Sequence, residues 1–314
     1  MTNALFKSLF IGASALALAA CGAQESGSTE EAVETVLEET VIVEEEVVAD
    51  EAPVADRLQA VLDAQPDEAK ARYQYRNPAE TLAFFGIEPG MTVVDTLPGD
   101  PWYAGILSEY LGADGKVVGA DYAIDMWSNF GFATPEFIEG KQTWTDTWVA
   151  EMSEKSGEGD APFAAFQFGA LPAEMQGEAD AALMIRALHN VHRFEPEGGF
   201  LTQALADMNA VLKPGGVLGV IQHRGPEANS DEWANGSNGY LKQSRVIALV
   251  EAAGFELVEA SEINANPADQ PTEEDFVWRL PPRLAGSDED AERRAAMEAI
   301  GESDRMTLLF RKPE

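Results

Sequence analysis

Three histidines, the only ones in the chain, follow two predicted strands and are the residues best suited to acid–base chemistry. His189 and His192 follow the apolar run Ala181–Ile185, and His223 follows Val217–Gln222. A histidine side chain with its usual pKa of about 6.5 removes a proton efficiently near neutral pH. We therefore predict that His189 or His223 is a catalytic base and that activity rises through about pH 6–7. The alternative is a structural histidine that hydrogen-bonds a neighbouring loop.

The same histidines also permit a metal site, because His-x-x-His on a helical turn plus a third histidine can supply three ligands to zinc. No glutamate in an established zinc motif accompanies them, so a base is favoured over a metal centre. Three arginines lie beside the histidines in the sequence: Arg186, Arg193 and Arg224. They either bind a carboxylate of a substrate or pair with nearby Asp and Glu side chains, and the residue types allow both.

A second group of polar residues follows two strands nearer the N-terminus. The apolar run Thr92–Val94 ends at Asp95, Gly99 lies in the turn that follows, and Val117–Ala120 ends at Asp121. Ligands of an open parallel sheet bind beyond the carboxyl ends of its strands. The sequence therefore predicts a ligand site formed by these two carboxylates and the turn.

The residues of that turn favour one kind of ligand. A dinucleotide needs several glycines and an uncluttered helix N-terminus to receive its phosphates. This turn has one glycine, Gly99, with Asp100 beside it. Asp100 would repel a phosphate but accept an ammonium group. A ligand with ribose and positive charge but no phosphate is favoured, and S-adenosylmethionine is the common ligand of that kind.

Apolar periodicity predicts an α/β fold over most of the chain. Predicted strands are Thr92–Val94, Val117–Ala120, Phe163–Phe168, Ala181–Ile185, Val217–Gln222, Phe255–Ala260 and Thr307–Phe310. Predicted helices are Asp56–Gln65, Asp67–Tyr75, Pro78–Gly86, Gly199–Leu212 and Gln243–Ala253, with irregular helix over Trp127–Glu158. Between the last two strands lies an insertion, residues 264–304, with helical spacing over Asp288–Ile300.

From about Asn77 to its C-terminus the chain resembles the class I S-adenosylmethionine-dependent methyltransferases, in particular predicted bacterial methyltransferases with a Pro-Gly turn after the first strand. The resemblance rests on the order and spacing of the segments FFGIEPGMTVVDTLPGDPWYAGIL, VVGADY, DAALMIRALHNVH, LKPGGVLGVIQHR, AGFELVEAS and DRMTLLFRKP. It implies a Rossmann-like, doubly wound seven-stranded sheet with helices on both faces and the last strand antiparallel. The chain departs from the family at Asp100-Pro101, where relatives usually carry further glycines.

The resemblance also implies the cofactor, S-adenosyl-L-methionine, and the residues that bind it. Asp95 and Gly99 are assigned to its methionine part and Asp121 to its ribose hydroxyls. We add Asp100 from its charge, and Tyr122 from its position in the same cleft, although an aromatic residue there also suits core packing. The implied activity is methyl transfer to an unidentified small molecule or envelope component. The alternative is a binding or scaffold lipoprotein that keeps the fold without catalysis.

Composition limits the partners of the chain. Its 314 residues carry a formal net charge of −34, and Asp and Glu outnumber Lys and Arg within the predicted domain as well. Because nucleic-acid binding depends on neutralising phosphates with Lys and Arg, we expect a small-molecule substrate and no nucleic acid. The length suits one large α/β domain, residues 56–314, with appendages.

The N-terminus has the pattern of an exported bacterial lipoprotein. Residues 1–20 read as a signal peptide, and Leu18-Ala19-Ala20-Cys21 resembles a lipobox that implies cleavage before Cys21 and lipidation of its thiol. The acidic segment 21–55 contains no Lys or Arg and is predicted to be a disordered tether. We expect the domain to be anchored to a bacterial membrane and to face the periplasm or the cell exterior. An ordinary secretory signal with a free cysteine is the alternative.

Overall fold

The computed structural model describes residues 51–98 and 102–314. Several sequence-based predictions lie outside these ranges: the signal peptide, the lipidated Cys21, most of the acidic tether, and the turn residues Gly99 and Asp100. Within the tether, residues from Glu51 onwards belong to the first helix, so the helical part begins five residues earlier than the predicted Asp56.

A mixed β-sheet forms the centre of the fold. Its strands are β1 (Thr92–Thr96), β2 (Lys116–Asp121), β3 (Phe163–Gln167), β4 (Ala179–Ile185), β5 (Leu212–Gly225), β6 (Leu241–Lys242), β7 (Glu256–Ser261) and β8 (Arg305–Arg311). The order is β3-β2-β1-β4-β5-β8-β7, and β6 pairs with β5 at its end. Strands β1 to β5 are parallel to one another, whereas β8 runs antiparallel to β5 and β7. All seven predicted strands and the antiparallel last strand are confirmed, and the two-residue β6 is an addition.

Twelve helices of the described residues surround the sheet. They are α1 (Glu51–Ala64), α2 (Asp67–Lys70), α3 (Tyr73–Arg76), α4 (Pro78–Phe84), α5 (Trp102–Leu111), α6 (Pro135–Lys141), α7 (Trp144–Lys155), α8 (Leu188–Arg193), α9 (Glu195–Gly198), α10 (Phe200–Val211), α11 (Gln243–Ala252) and α12 (Ala291–Ile300). Short 3₁₀ turns cover Ile124–Asn129, Ala173–Met175 and Val277–Arg279. None of the helices seen in these ranges is both long enough and apolar enough to cross a lipid bilayer.

Three helical predictions need correction. The single helix predicted over Asp67–Tyr75 is two short helices, α2 and α3. The irregular segment Trp127–Glu158 resolves into a 3₁₀ turn followed by α6 and α7. In the insertion 264–304, helix α12 begins three residues later than predicted, because Asp290 is its N-cap and accepts a hydrogen bond from the backbone N–H of Arg293.

The sheet is covered on both faces, because successive side chains of its inner strands point into two different cores. Val93 of β1 belongs to the core that includes residues of α1, α4, α5 and α7, and Val94 belongs to the core that includes residues of α8, α10 and α11. The doubly wound arrangement is therefore confirmed.

Helix α7 supports the turn that follows β1. Its Trp148 packs so closely on β2 that a Cβ atom on Gly119 would lie 2.7 Å from the indole ring. The indole Nε1 donates a hydrogen bond of 3.2 Å to the carbonyl of Pro98. A glycine in a buried strand thus lets one helix hold both the sheet and the start of the predicted ligand turn.

Candidate functional site

The carboxyl edge of the sheet collects the polar residues that the sequence predicted to lie together. Asp95 and Asp121 close β1 and β2, and Arg186 follows β4. His223, near the end of β5, pairs with Arg305 at the start of the antiparallel β8. The fold therefore places these side chains along one edge of the sheet.

Asp95 is a buried carboxylate without a hydrogen-bond donor among the described residues. Its side chain is 4% exposed. Burial raises the pKa of Asp95 to about 7, although the positive charge of Arg186 opposes this shift. The next residue, Thr96, has a buried hydroxyl that also lacks a partner within the described ranges. A buried hydroxyl without a partner, such as that of Thr96, is rare in folded proteins and marks a place where a ligand can complete the hydrogen bonding.

Asp121 is buried too, but its charge is balanced inside the protein. One carboxylate oxygen accepts the backbone N–H of Tyr122 at 2.8 Å, and the other accepts Lys141 Nζ of α6 at 2.7 Å. Burial raises the pKa of Asp121, and Lys141 opposes that change. The lysine also lies 4.2 Å from the centroid of the Trp127 ring. The carboxylate that the resemblance assigns to ribose therefore contacts a lysine in this conformation.

Tyr122 lies in the core beside that carboxylate. Its hydroxyl donates to the carbonyl of Ala187 at 3.0 Å and accepts a hydrogen bond from Asn190 at 3.2 Å. Its ring stacks on Phe130, and burial raises its pKa. Its polar atom is thus occupied by the fold, and contact with a cofactor stays a prediction for this residue.

His189 and His223 are neighbours, with ring centroids 5.6 Å apart. Nδ1 of His189 lies 3.3 Å from Gln222 Oε1, and Nδ1 of His223 lies 2.6 Å from Ser303 Oγ. Burial lowers the pKa of His189 to about 4 and lowers the pKa of His223 well below its usual value. Both rings are therefore neutral throughout pH 6–7, so the predicted rise of activity over that range finds no support in these histidines.

The third histidine does not join this pair in a metal centre. Nδ1 of His192 lies 2.7 Å from the carbonyl of Asn235. Residues 51–98 and 102–314 contain no group of three or more His, Cys, Asp or Glu side chains placed to hold a metal ion. The zinc alternative gains no support from this part of the chain.

The three arginines singled out in the sequence have different surroundings. Arg224 forms ion pairs with Glu262 at 2.6 Å and with Asp304 at 2.8 Å, so it serves the structural role. The guanidinium carbon of Arg193 lies 4.2 Å from the ring centroid of Phe194. Arg186 has no hydrogen-bond acceptor for its guanidinium group within the described residues. Arg186 and Arg193, which form no ion pair among the described residues, therefore keep the alternative of a substrate-binding arginine, whereas Arg224 does not.

Sequence reasoning missed four residues at this edge: Lys141, Arg76, Arg305 and Glu302. Lys141 comes from the segment between β2 and β3, and the other three come from the two ends of the described chain. No local pattern marks them, because their importance depends on contacts between distant segments.

A cavity of about 670 Å³ lies beyond the carboxyl ends of β2 and β3. Its walls include Ala123, Asp125, Gln167 and Phe168. A space of this size accommodates a nucleoside-sized ligand next to the end of β2. Asp125 is therefore a second carboxylate within reach of the same region as Asp121.

Comparison with known proteins gives matches of structure only. No protein-family model matches the sequence, and no curated protein matches it. The 4+2 cyclase SpnF is 18% identical with a TM-score of 0.49, covering 76% of this chain and 81% of that one. The arsenic(III) S-adenosylmethionine methyltransferase of Chlamydomonas reinhardtii is 18% identical with a TM-score of 0.42, covering 82% and 73%.

A third match is the 1,6-didemethyltoxoflavin-N1-methyltransferase of Burkholderia thailandensis, solved with its substrate and S-adenosylhomocysteine. It is 16% identical with a TM-score of 0.42, covering 84% of this chain and 89% of that one. Identities at this level concern the fold alone. The function of this chain therefore has to be argued from its own residues.

Proposed function

We propose that this protein transfers a methyl group from S-adenosyl-L-methionine to a small-molecule acceptor. The observation that carries the proposal is the pair of buried carboxylates at the ends of adjacent parallel strands, Asp95 and Asp121. Asp95 lacks a donor among the described residues. A ligand with an ammonium group and a sulfonium centre would supply the missing positive charge, and its ribose hydroxyls would reach Asp121.

The residues of the site suit a displacement that needs alignment more than covalent help. When bound, the cofactor supplies the electrophilic methyl group. The chain holds the reactants by charge and excludes water from a buried site, which favours such a transfer. His189 and His223 stay the predicted candidates for a base. Both rings are neutral near pH 7, but burial lowers the pKa of each and makes it a weaker proton acceptor than an ordinary histidine.

A second candidate function is ligand binding without methyl transfer. It is favoured by the contact between Lys141 and Asp121, because the ribose carboxylate is already paired in this conformation. Fold alone does not decide between the two functions, since one architecture hosts many activities.

Calorimetry of the purified full-length chain with S-adenosylmethionine, S-adenosylhomocysteine and NAD tests the proposal. We expect the first two to bind and NAD to bind poorly.

Asp121→Ala should weaken S-adenosylhomocysteine binding by roughly 10- to 100-fold, since it removes a charged hydrogen-bond acceptor. Asp114→Ala changes an exposed carboxylate just before β2 and is the control, which should leave affinity unchanged. A folded chain that binds NAD tightly, or that ignores S-adenosylhomocysteine, would contradict the assignment. A folded chain that does not bind S-adenosylhomocysteine would also favour the second candidate, because Lys141 would then keep Asp121 from the ribose.

We further propose export and anchoring to a membrane through Cys21. The support is the sequence Leu18-Ala19-Ala20-Cys21 after an apolar run. Fractionation of cells that express the full chain tests it, because Cys21→Ser should release the protein from the membrane fraction. A protein that keeps Met1 and is found free in the cytoplasm would show that the export assignment is wrong.

A further inference from the structure

Four arginines from three separate parts of the chain converge behind the carboxyl edge of the sheet. We call Arg72, Arg76, Arg186 and Arg305 the arginine cluster. Arg72 Nη2 lies 2.8 Å from Glu302 Oε1, and Arg76 Nε lies 3.7 Å from Glu302 Oε2. Arg305 donates to the same Oε2 atom. One carboxylate therefore serves three guanidinium groups.

The cluster holds more positive than negative charge. Among the described residues, Arg186 forms no ion pair within 4.0 Å; the positive charges of Arg76 and Arg305 lower its pKa, and the carboxylate of Glu302 opposes them. The Nε atoms of Arg76 and Arg305 are buried and have no hydrogen-bond partner in the part of the chain that the structure describes, although both guanidinium groups contact Glu302 and Arg305 also donates to the carbonyl of Tyr75 at 3.1 Å. Their residues are only 4% and 2% exposed. Buried guanidinium groups are normally paired.

This excess of cations is unusual for a chain with a formal net charge of −34. A protein so rich in carboxylates has many available partners for an arginine, as Arg224 shows with two of them. The imbalance also has a cost. Burial and the like charges of Arg76 and Arg305 lower the pKa of Arg186, although it stays protonated at neutral pH. An anion bound at the cluster would remove this repulsion.

The cluster borders the proposed methyl-transfer site on the side away from Asp121. Arg186 directly follows β4 and has a φ angle of +57°, a strained conformation for a residue with a side chain. Tyr103 of α5 is buried, and the charges of Arg76, Arg186, Arg305 and Asp95 all act on its hydroxyl. Its hydroxyl has no partner among the described residues, and burial raises its pKa to about 12, so it is available as a donor.

A cavity leads to the cluster from outside the sheet. It has a volume of about 640 Å³. Arg72 is the member of the cluster that lines it, together with Trp102 and the carboxylates of Glu68 and Glu302. The Trp102 ring also lies 4.8 Å from the guanidinium carbon of Arg76. The cluster thus combines cations with a flat apolar wall, a combination that suits an organic anion better than a bare ion.

We propose that the arginine cluster binds a carboxylate or phosphate group of the methyl acceptor, which makes the acceptor a small organic anion. Asp95 then faces the cationic methyl donor and Arg186 faces the anionic acceptor, so that adjacent sites of opposite charge orient the two reactants. The role of the anion as acceptor rests on the proposed methyl transfer. Binding of the anion itself needs no cofactor.

Calorimetry of the full-length chain without cofactor tests the proposal, with benzoate and inorganic phosphate as probes and benzamide as the uncharged match of benzoate. We expect at least one anion to bind with a dissociation constant below about 10 mM and benzamide not to bind. A preference between the two anions identifies the acceptor as a carboxylate or a phosphate compound.

Variants locate the site. Arg186→Gln should weaken anion binding by about tenfold or more. Arg186→Lys should weaken it less because lysine keeps the positive charge, but some affinity should be lost because lysine cannot form the paired hydrogen bonds of a guanidinium group. Arg311→Gln changes an exposed arginine of β8 and should have no effect. Thermal unfolding of each variant checks that it is folded.

The outcomes separate this inference from the proposed function. Anion binding that depends on Arg186 in a chain that ignores S-adenosylhomocysteine would refute methyl transfer and leave the anion site standing. Equal binding of benzoate and benzamide, equal weakening by Arg186→Gln and Arg311→Gln, or no anion binding by the folded wild-type chain would each overturn the anion site.

Discussion

Asp95 and Asp121 end neighbouring strands, but only one of the two carboxylates forms an ion pair among the described residues. Lys141 pairs with Asp121, whereas Asp95 faces Arg186 without a direct ion pair among the described residues. Burial raises the pKa of Asp95 to about 7. The ionisation of Asp95 therefore falls within the physiological pH range, where ligand charge can control it.

Cofactor affinity should depend on pH through Asp95. A cationic ligand favours the ionised carboxylate. As pH rises towards 7, affinity should therefore increase by up to about tenfold per pH unit, and above pH 7 it should level off. Calorimetry with S-adenosylmethionine between about pH 5.5 and pH 8.5 measures this, and proton release should accompany binding at the acidic end. Asp95→Asn should abolish the dependence. An affinity that is flat with pH in the wild-type chain would contradict the role given to Asp95.

The same carboxylate should reduce stability at high pH. Its folded-state pKa of about 7 lies above the ordinary value of 3.8. The folded chain therefore binds the proton more tightly than the unfolded chain between these values, and the free energy of unfolding falls as pH rises through this window. Asp95→Asn should stabilise the protein by about 2–4 kcal/mol at pH 8 and have little effect near pH 3.5. Urea unfolding at both pH values measures the difference, and an equal effect at both would contradict this explanation.

The ion pair between Lys141 and Asp121 should contribute to stability as a unit. Lys141→Met keeps the contact with Trp127 but leaves a buried carboxylate unpaired, so we expect a loss of about 3 kcal/mol in the free energy of unfolding. In the Asp121→Asn background, Lys141→Met should lower the free energy of unfolding far less. The coupling free energy between the two positions should be about 1–3 kcal/mol. Lys155→Met, at an exposed position of α7, is the control. Additive effects of the two site changes would show that the pair carries no coupling.

At the scale of elements, the packing of α7 on β2 positions the start of the ligand turn through the Trp148–Pro98 hydrogen bond. Gly119→Ala would place a Cβ atom within 2.7–3.0 Å of the Trp148 ring. We expect a loss of about 1–3 kcal/mol in the free energy of unfolding, together with weaker S-adenosylhomocysteine binding, because the ring and the turn must shift.

Gly105→Ala provides the matched control, since a Cβ atom on this glycine of α5 meets nothing within 4 Å. It should stabilise the helix by roughly 0.5–1 kcal/mol. Urea unfolding of both variants measures the contrast. A neutral Gly119→Ala variant with unchanged ligand binding would show that α7 does not hold the turn.

At the scale of the whole molecule, Glu302 joins the N-terminal helices to the last strand. It contacts Arg72 and Arg76 at one end of the described chain and Arg305 at the start of β8. Although burial opposes the shift, the charges of Arg305, Arg76 and Arg72 lower the pKa of Glu302 to about 2. The folded state therefore favours the carboxylate.

Glu302→Gln should lower the free energy of unfolding by about 3 kcal/mol at pH 7, because the buried guanidinium groups of Arg76 and Arg305 and the partly exposed one of Arg72 lose their shared counter-ion. A folded-state pKa below the usual 4.5 contributes stability above pH 4.5, and this contribution is lost as pH falls towards 2. The difference between variant and wild type should therefore shrink as pH is lowered from about 5 to 3. Glu298→Gln, which removes an exposed partner of Arg294, should cost less than about 0.5 kcal/mol. A constant difference over this pH range would contradict the assigned role.

The sequence alone determined the sheet and the edge of it at which the candidate site residues lie. Buried parallel strands are short apolar runs, and helices repeat every 3.6 residues, so both leave local patterns. Asp95, Asp121, His189 and His223 could be predicted to share one edge because each follows or ends such a run. The protonation state of the two histidines could not be predicted from the sequence, since it depends on how deeply the fold buries them.

Tertiary structure alone decided which partners the charged residues have. Arg224 and Arg186 have the same side chain and similar neighbours in sequence, yet one forms ion pairs with two carboxylates and the other with none of the described residues. Arg72 and Glu302 are 230 positions apart, and Lys141 reaches Asp121 only because α6 folds back over the end of β2. Contacts of this kind form between distant segments and leave no periodic signal, so the charge balance of the site is a property of the folded chain.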